Sequence, residues 1–229
     1  MKTTLRAAAV SLIFLIPFSC ASGEQEGRRL ICLSNKDSAD RTFDIPSSGL
    51  AFPDDGELIA FDCRGNTLTP PFKNRLVHTL PPQSHTVLAV CQILDRPQII
   101  STSRHIAQGF TNVSSLVWNP VTRTLSGISQ AIAGDRTELR ILTRTRFGTR
   151  MPPPASAAIT GSNGYELTVA PGDGLVTRPD DAYAHANTPD APFTTLFEPA
   201  AEENLVRLAF ISGADGPVAW RVTFLEREK

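Results

Sequence analysis

The chain has 229 residues, with 22 Lys and Arg set against 23 Asp and Glu for a net charge of −1. A balance this near neutrality gives no electrostatic case for nucleic acid. The length suits one or two domains with a real core and excludes an eight-stranded barrel with its eight helices, about 250 residues, plus anything further.

The first element is a leader. Lys2 and Arg6 precede an apolar run from Ala7 to Ile16, and the small residues Ser19-Cys20-Ala21-Ser22 come after it. Charge, apolar run and small residues in that order mark a secretory signal peptide. The run is shorter than the roughly 20 residues that span a bilayer. Cleavage before Ser22 is therefore expected, with residues 1–21 as the leader and a secreted or periplasmic product. The alternative makes Cys20 the lipidated first residue of an anchored lipoprotein, for which Pro17-Phe18-Ser19 is a poor lead-in. No transmembrane segment is expected after the leader.

The rest of the chain alternates apolar and polar residues with the period of two that marks half-buried strands. Ile59, Phe61 and Cys63 share a face, as do Val206, Leu208 and Phe210, and again Trp220, Val222 and Phe224. Turn signals punctuate these runs, at Pro53-Asp54-Asp55-Gly56, Pro70-Pro71, Pro81-Pro82, Ser162-Asn163-Gly164, Pro171-Gly172-Asp173-Gly174 and Asp215-Gly216-Pro217. Short strands with frequent turns predict an all-β protein of packed antiparallel sandwiches. Strands are expected near 29–34, 40–45, 57–63, 74–80 and 84–92 in a first β-sandwich unit, residues 22–95. A second unit, residues 96–229, is expected to hold strands near 98–102, 114–119, 122–132, 137–143, 156–160, 164–170, 174–177, 193–198, 204–211 and 217–225. A long exposed loop is expected over 178–192.

Cys32, Cys63 and Cys91 would remain after processing. An oxidising compartment predicts one disulfide among the three, with the pairing open, and one spare thiol. The adjacent acids Asp54/Asp55 and Asp180/Asp181 read as turn formers, since Asp caps its own backbone. His78, His85, His105 and His185 are scattered without ligand spacing, so neither a metal nor a cofactor is expected. His105, next to Arg104, reads as a structural residue at the junction of the units. Trp118 and Trp220 lie in alternating strands and are expected in the core. The one candidate ligand contact is Tyr183 in the 178–192 loop, with Asp180, Asp181 and His185 beside it. An exposed ring suits stacking on a sugar, and the acids could meet a calcium ion, although a plain solvated loop fits the same residues. Asn112-Val113-Ser114 has the pattern of a glycosylation sequon.

Pro81-Pro82-Gln83-Ser84 with the apolar run to Val90 resembles the segment that closes the C-terminal sandwich of alpha-galactosidase-like, melibiase-type glycoside hydrolases. The stretch from Leu94 to Gly109 resembles the adjoining segment of many bacterial members, where a second sandwich begins. Val117-Trp118-Asn119 with residues 122–127 is similar to the next hairpin, residues 218–224 to a closing strand, and Asp54 to Asp62 to an upstream strand of the same region. The resemblance implies an accessory sandwich without its catalytic barrel. It implies no enzyme activity, because the barrel strand ends that carry the family's two aspartates have no counterpart here. Cys63 and Cys91 depart from the pattern, standing where aromatic or polar residues are usual. The function implied is an exported, non-catalytic protein that binds carbohydrate or supports a partner glycoside hydrolase. A structural remnant, or one part of a split enzyme with no ligand of its own, is the alternative.

Overall fold

In a computed structural model, residues 14–16, 28–50, 52, 56–103, 113–144, 154–160, 166–169, 175–177, 194–199 and 204–225 are described. They form an all-β protein in which every strand pair is antiparallel. The only helical element among them is a 3-10 turn, Ser47–Leu50. The chain forms two compact units and passes from one to the other between Gln92 and Ile93.

The first unit contains β1 (Phe14–Ile16), β2 (Arg28–Asn35), β3 (Arg41–Pro46), β4 (Leu58–Asp62), β5 (Thr67–Leu68), β6 (Arg75–Leu80) and β7 (Ser84–Gln92). Five of them make a sheet in the order β1-β2-β7-β4-β5, and β3 and β6 make a separate ribbon. Alternation then builds the core. Ile31, Leu33, Leu58, Ala60, Leu88 and Val90 from the sheet meet Phe43, Ile45, Leu76 and Leu80 from the ribbon in one buried cluster. The expectation of half-buried strands fails at β4, which is buried at all five positions. Leu58 and Ala60 face the ribbon, while Ile59, Phe61 and Cys63 on the opposite face are buried as well. Two apolar faces are what a strand needs when both of its sides are covered.

The second unit contains β8 (Gln98–Thr102), β9 (Val113–Asn119), β10 (Thr124–Ala131), β11 (Arg136–Leu142), β12 (Pro154–Thr160), β13 (Glu166–Val169), β14 (Leu175–Thr177), β15 (Thr194–Pro199), β16 (Leu205–Ile211) and β17 (Gly216–Phe224). They form two five-stranded sheets, β13-β12-β17-β10-β9 and β14-β15-β16-β11-β8. Leu125, Ala157, Ile159, Val218, Trp220, Val222 and Phe224 of the first pack with Ile99, Leu139, Ile141, Val206, Leu208 and Phe210 of the second. Strand β17 is half-buried as its alternation requires, with Trp220, Val222 and Phe224 inward and Ala219 and Arg221 exposed. Gly127 on β10 lies against the indole of Trp220, and a Cβ there would come within 2.6 Å of Trp220 Cζ2.

The predicted strands coincide with observed ones to within two residues at each end. Two short strands, β1 and β5, were not expected. The bridge expected among the cysteines is absent, because Cys32, Cys63 and Cys91 are all free thiols. Register explains it. Cys32 pairs with Val87 on one side of β7, and the Cys63 amide donates to the Val87 carbonyl on the other, at 2.9 Å. The Cα atoms of Cys32 and Cys63 are thus two strand spacings apart, about 9.6 Å. Cys91 lies four residues further along β7, roughly 13 Å from Val87. A disulfide needs Cα atoms about 4.4 to 6.8 Å apart.

Candidate functional site

Tyr183, Asp180, Asp181 and His185 all lie outside the described residues, as do Asp54, Asp55, His105, Asn112 and the expected cut before Ser22. The expected histidines that are described, His78 and His85, sit on β6 and at the start of β7.

His78 belongs to a polar knot centred on Asp62. Strand β4 ends at Asp62, where the chain turns through Arg64 and Gly65 into β5. Asp62 Oδ1 accepts from the Arg64 and Gly65 amides, each at 2.9 Å, which is an Asp capping its own turn. Asn66, next in the turn, has a φ of 57°, a left-handed conformation that Asn tolerates better than most residues. The Thr86 hydroxyl donates to the same Oδ1. His78 Nε2 lies 3.4 Å from Oδ2. Asp62 is on the five-stranded sheet and His78 on the ribbon, so this contact ties the two layers of the first unit. Burial alone would raise the Asp62 carboxyl. Hydrogen bonds from His78, Thr86 and the Gly65 and Arg64 amides outweigh it and hold the group well below the usual carboxylate range. The carboxylate thus fastens the turn after β4 to β7 and to the ribbon. Nearby, Arg64 Nη1 donates to the His85 carbonyl at 3.0 Å and approaches His85 Nδ1 at 3.5 Å, on the exposed rim.

A second charged cluster, which apolar periodicity does not reveal, lies on β11. Glu138 and Arg140 are each only 8 % exposed. Glu138 Oε1 accepts from Arg140 Nε at 3.0 Å and from Arg207 Nη1 at 2.9 Å, and Oε2 from Arg136 Nη2 at 3.2 Å. Arg140 Nη1 also donates to Ser101 Oγ and the Thr102 carbonyl, both at 3.1 Å. The placement comes from register, since Arg140 pairs with Arg207 on β16 and with Ser101 on β8. The signal in the sequence was Arg136-x-Glu138-x-Arg140, three charges on one face of a strand whose other face is Leu139 and Ile141.

The two tryptophans differ in burial. Trp220 is buried and its Nε1 donates to Ser129 Oγ at 3.0 Å. Trp118 is half-buried, edge-on to Phe224 with centroids 5.9 Å apart. Trp220 is a core residue, as expected, whereas Trp118 is only partly buried and packs against the core. Among the described residues whose side chains are placed, every phenylalanine and tryptophan is buried or half-buried. No helix among them is long and apolar enough to cross a membrane. Models of known protein families and the curated proteins give no match to this chain.

Proposed function

We propose that this is an exported, non-catalytic β-sandwich protein of the kind appended to alpha-galactosidase-like hydrolases, acting by binding carbohydrate or by supporting a partner hydrolase. The observation that carries the reading is the turn at Pro81-Pro82-Gln83-Ser84. It leads β6 into β7, the central strand of the first sheet. Ser84 Oγ donates to the Pro81 carbonyl at 2.7 Å, and the Asn35 amide donates to the Leu80 and Pro81 carbonyls at 3.0 and 2.8 Å. The motif that carries the family resemblance thus stands at a structurally fixed place in an all-β unit. Among the described residues, the buried carboxylates Asp62 and Glu138 are each engaged by neighbouring donors. Sugar contact falls to Tyr183 and its loop.

A glycan array on the processed protein tests binding, and an aryl-galactoside assay tests chemistry. Array binding that drops on Tyr183→Ala is expected, with no turnover. Turnover that survives purification and falls when a single Asp or Glu is replaced would overturn the non-catalytic reading. An empty array together with no association to any hydrolase would overturn the binding reading.

A further inference from the structure

The five-stranded sheet of the first unit has two differently made edges. At one end β5 is two residues long, and a very short edge strand offers another chain little to pair with. At the other end lies the three-residue β1, beside β2, which runs eight residues and pairs with β7 at all eight without a register shift. Its middle, Leu30-Ile31-Cys32-Leu33, carries neither charge nor proline, the devices that commonly blunt an edge. Three of the four edge strands described in the second unit are guarded. Strand β9 meets a register shift between Ser126 and Ile128 of β10, with Ser115 at a φ of 51°, while β13 and β14 are four and three residues long.

The open side of β2 is filled by the chain itself. In β1, Phe14 pairs with Cys32, Leu15 with Ile31 and Ile16 with Leu30. These three residues belong to the apolar run of the expected leader, so the processing that exports the protein would also uncover the edge. We propose that the processed protein uses β2 as an acceptor for an extended apolar segment of another polypeptide, added antiparallel in the register that Phe14–Ile16 occupies. The proposal rests on the export reading. In strand addition the main-chain hydrogen bonds supply affinity, and alternate side chains supply selectivity. The leader shows the chemistry of the occupant, an uncharged run with bulky aliphatic or aromatic side chains.

The probe is the peptide Ser-Leu-Ile-Phe-Leu-Ile, residues 11–16, with lysines added at both ends for solubility. The protein is the processed chain from Ser22, checked for native β content by far-UV circular dichroism. Hydrogen exchange of the Arg28–Asn35 amides should slow when the peptide is added. A peptide with proline at both Phe14 and Leu15 should have no effect, because neighbouring strand amides point to opposite sides and one of the two must face β2. The full chain from Met1 should show the slowed exchange without peptide. No change in the processed protein would overturn the proposal. So would equal protection by the proline peptide, or a β2-mediated dimer that the peptide does not dissociate. Mass spectrometry of the native protein separates the two ideas. A retained Met1 overturns the export reading, whereas a processed N-terminus with no peptide effect overturns the edge proposal alone.

Discussion

His78 Nε2 stands 3.4 Å from Asp62 Oδ2, joining the ribbon of the first unit to its five-stranded sheet. The same carboxylate caps the turn after β4 and accepts the Thr86 hydroxyl. One side chain therefore fixes the end of a strand, its turn and the contact between layers.

Asp62→Asn should cost about 2 to 3 kcal/mol, the loss expected when hydrogen bonds to a buried charged group are weakened. The pH dependence has a definite sign. The folded carboxyl lies below its ordinary value of 3.8, so its contribution is fully present above that value and is lost as pH falls below it. Between pH 7 and pH 3 the urea midpoint should fall further for the wild type than for Asp62→Asn. Equal falls would mean that Asp62 is not a source of the acid sensitivity.

The thiols offer a chemical check on register. The processed protein should titrate three thiols in denaturant without reductant, and native Cys63 and Cys91, both buried, should react more slowly than half-buried Cys32. Fewer than three would reveal a bridge, and with it a different pairing of β2, β7 and β4.

Much of the fold was legible because alternation is a local property. The run from Ser84 to Gln92 and the inward set Trp220, Val222 and Phe224 could be read residue by residue. What needed the structure was pairing between distant strands. Asp62 and His78 each sit on an expected strand, but nothing local says that the sheet and the ribbon bring them together. The cysteine expectation failed for the same reason, since compartment predicts that thiols oxidise but only register says whether they can reach. Strand β5 is too short to show a period, and β1 lies in a run that reads first as leader. Tyr183 and its acidic neighbours were chosen from loop composition alone and lie outside the described residues.

Gly127 tests the packing of the second unit. A Cβ added there would lie 2.6 Å from Trp220 Cζ2 and 2.9 Å from Val113 Cγ1. Gly127→Ala must therefore push the indole or bend β10, at a cost of about 1 to 3 kcal/mol. Thermal unfolding should occur at lower temperature and tryptophan emission should shift as Trp220 moves. Unchanged stability would place the indole elsewhere.

Glu138 is the strongest stability prediction, because its three guanidinium partners would remain after it is neutralised. Arg136, Arg140 and Arg207 all donate to its carboxylate, and Arg140 is as deeply buried as Glu138 itself. Removing one partner of a buried ionic cluster leaves like charges uncompensated, which typically costs about 3 to 5 kcal/mol. Glu138→Gln keeps the shape of the side chain, so its effect reports charge rather than volume. Ser101→Ala removes one acceptor from Arg140 while the carboxylate stays, and should cost only about 1 kcal/mol. Urea unfolding of the two variants should rank them in that order. A Glu138→Gln variant no weaker than Ser101→Ala would show that the arginines are compensated without the glutamate.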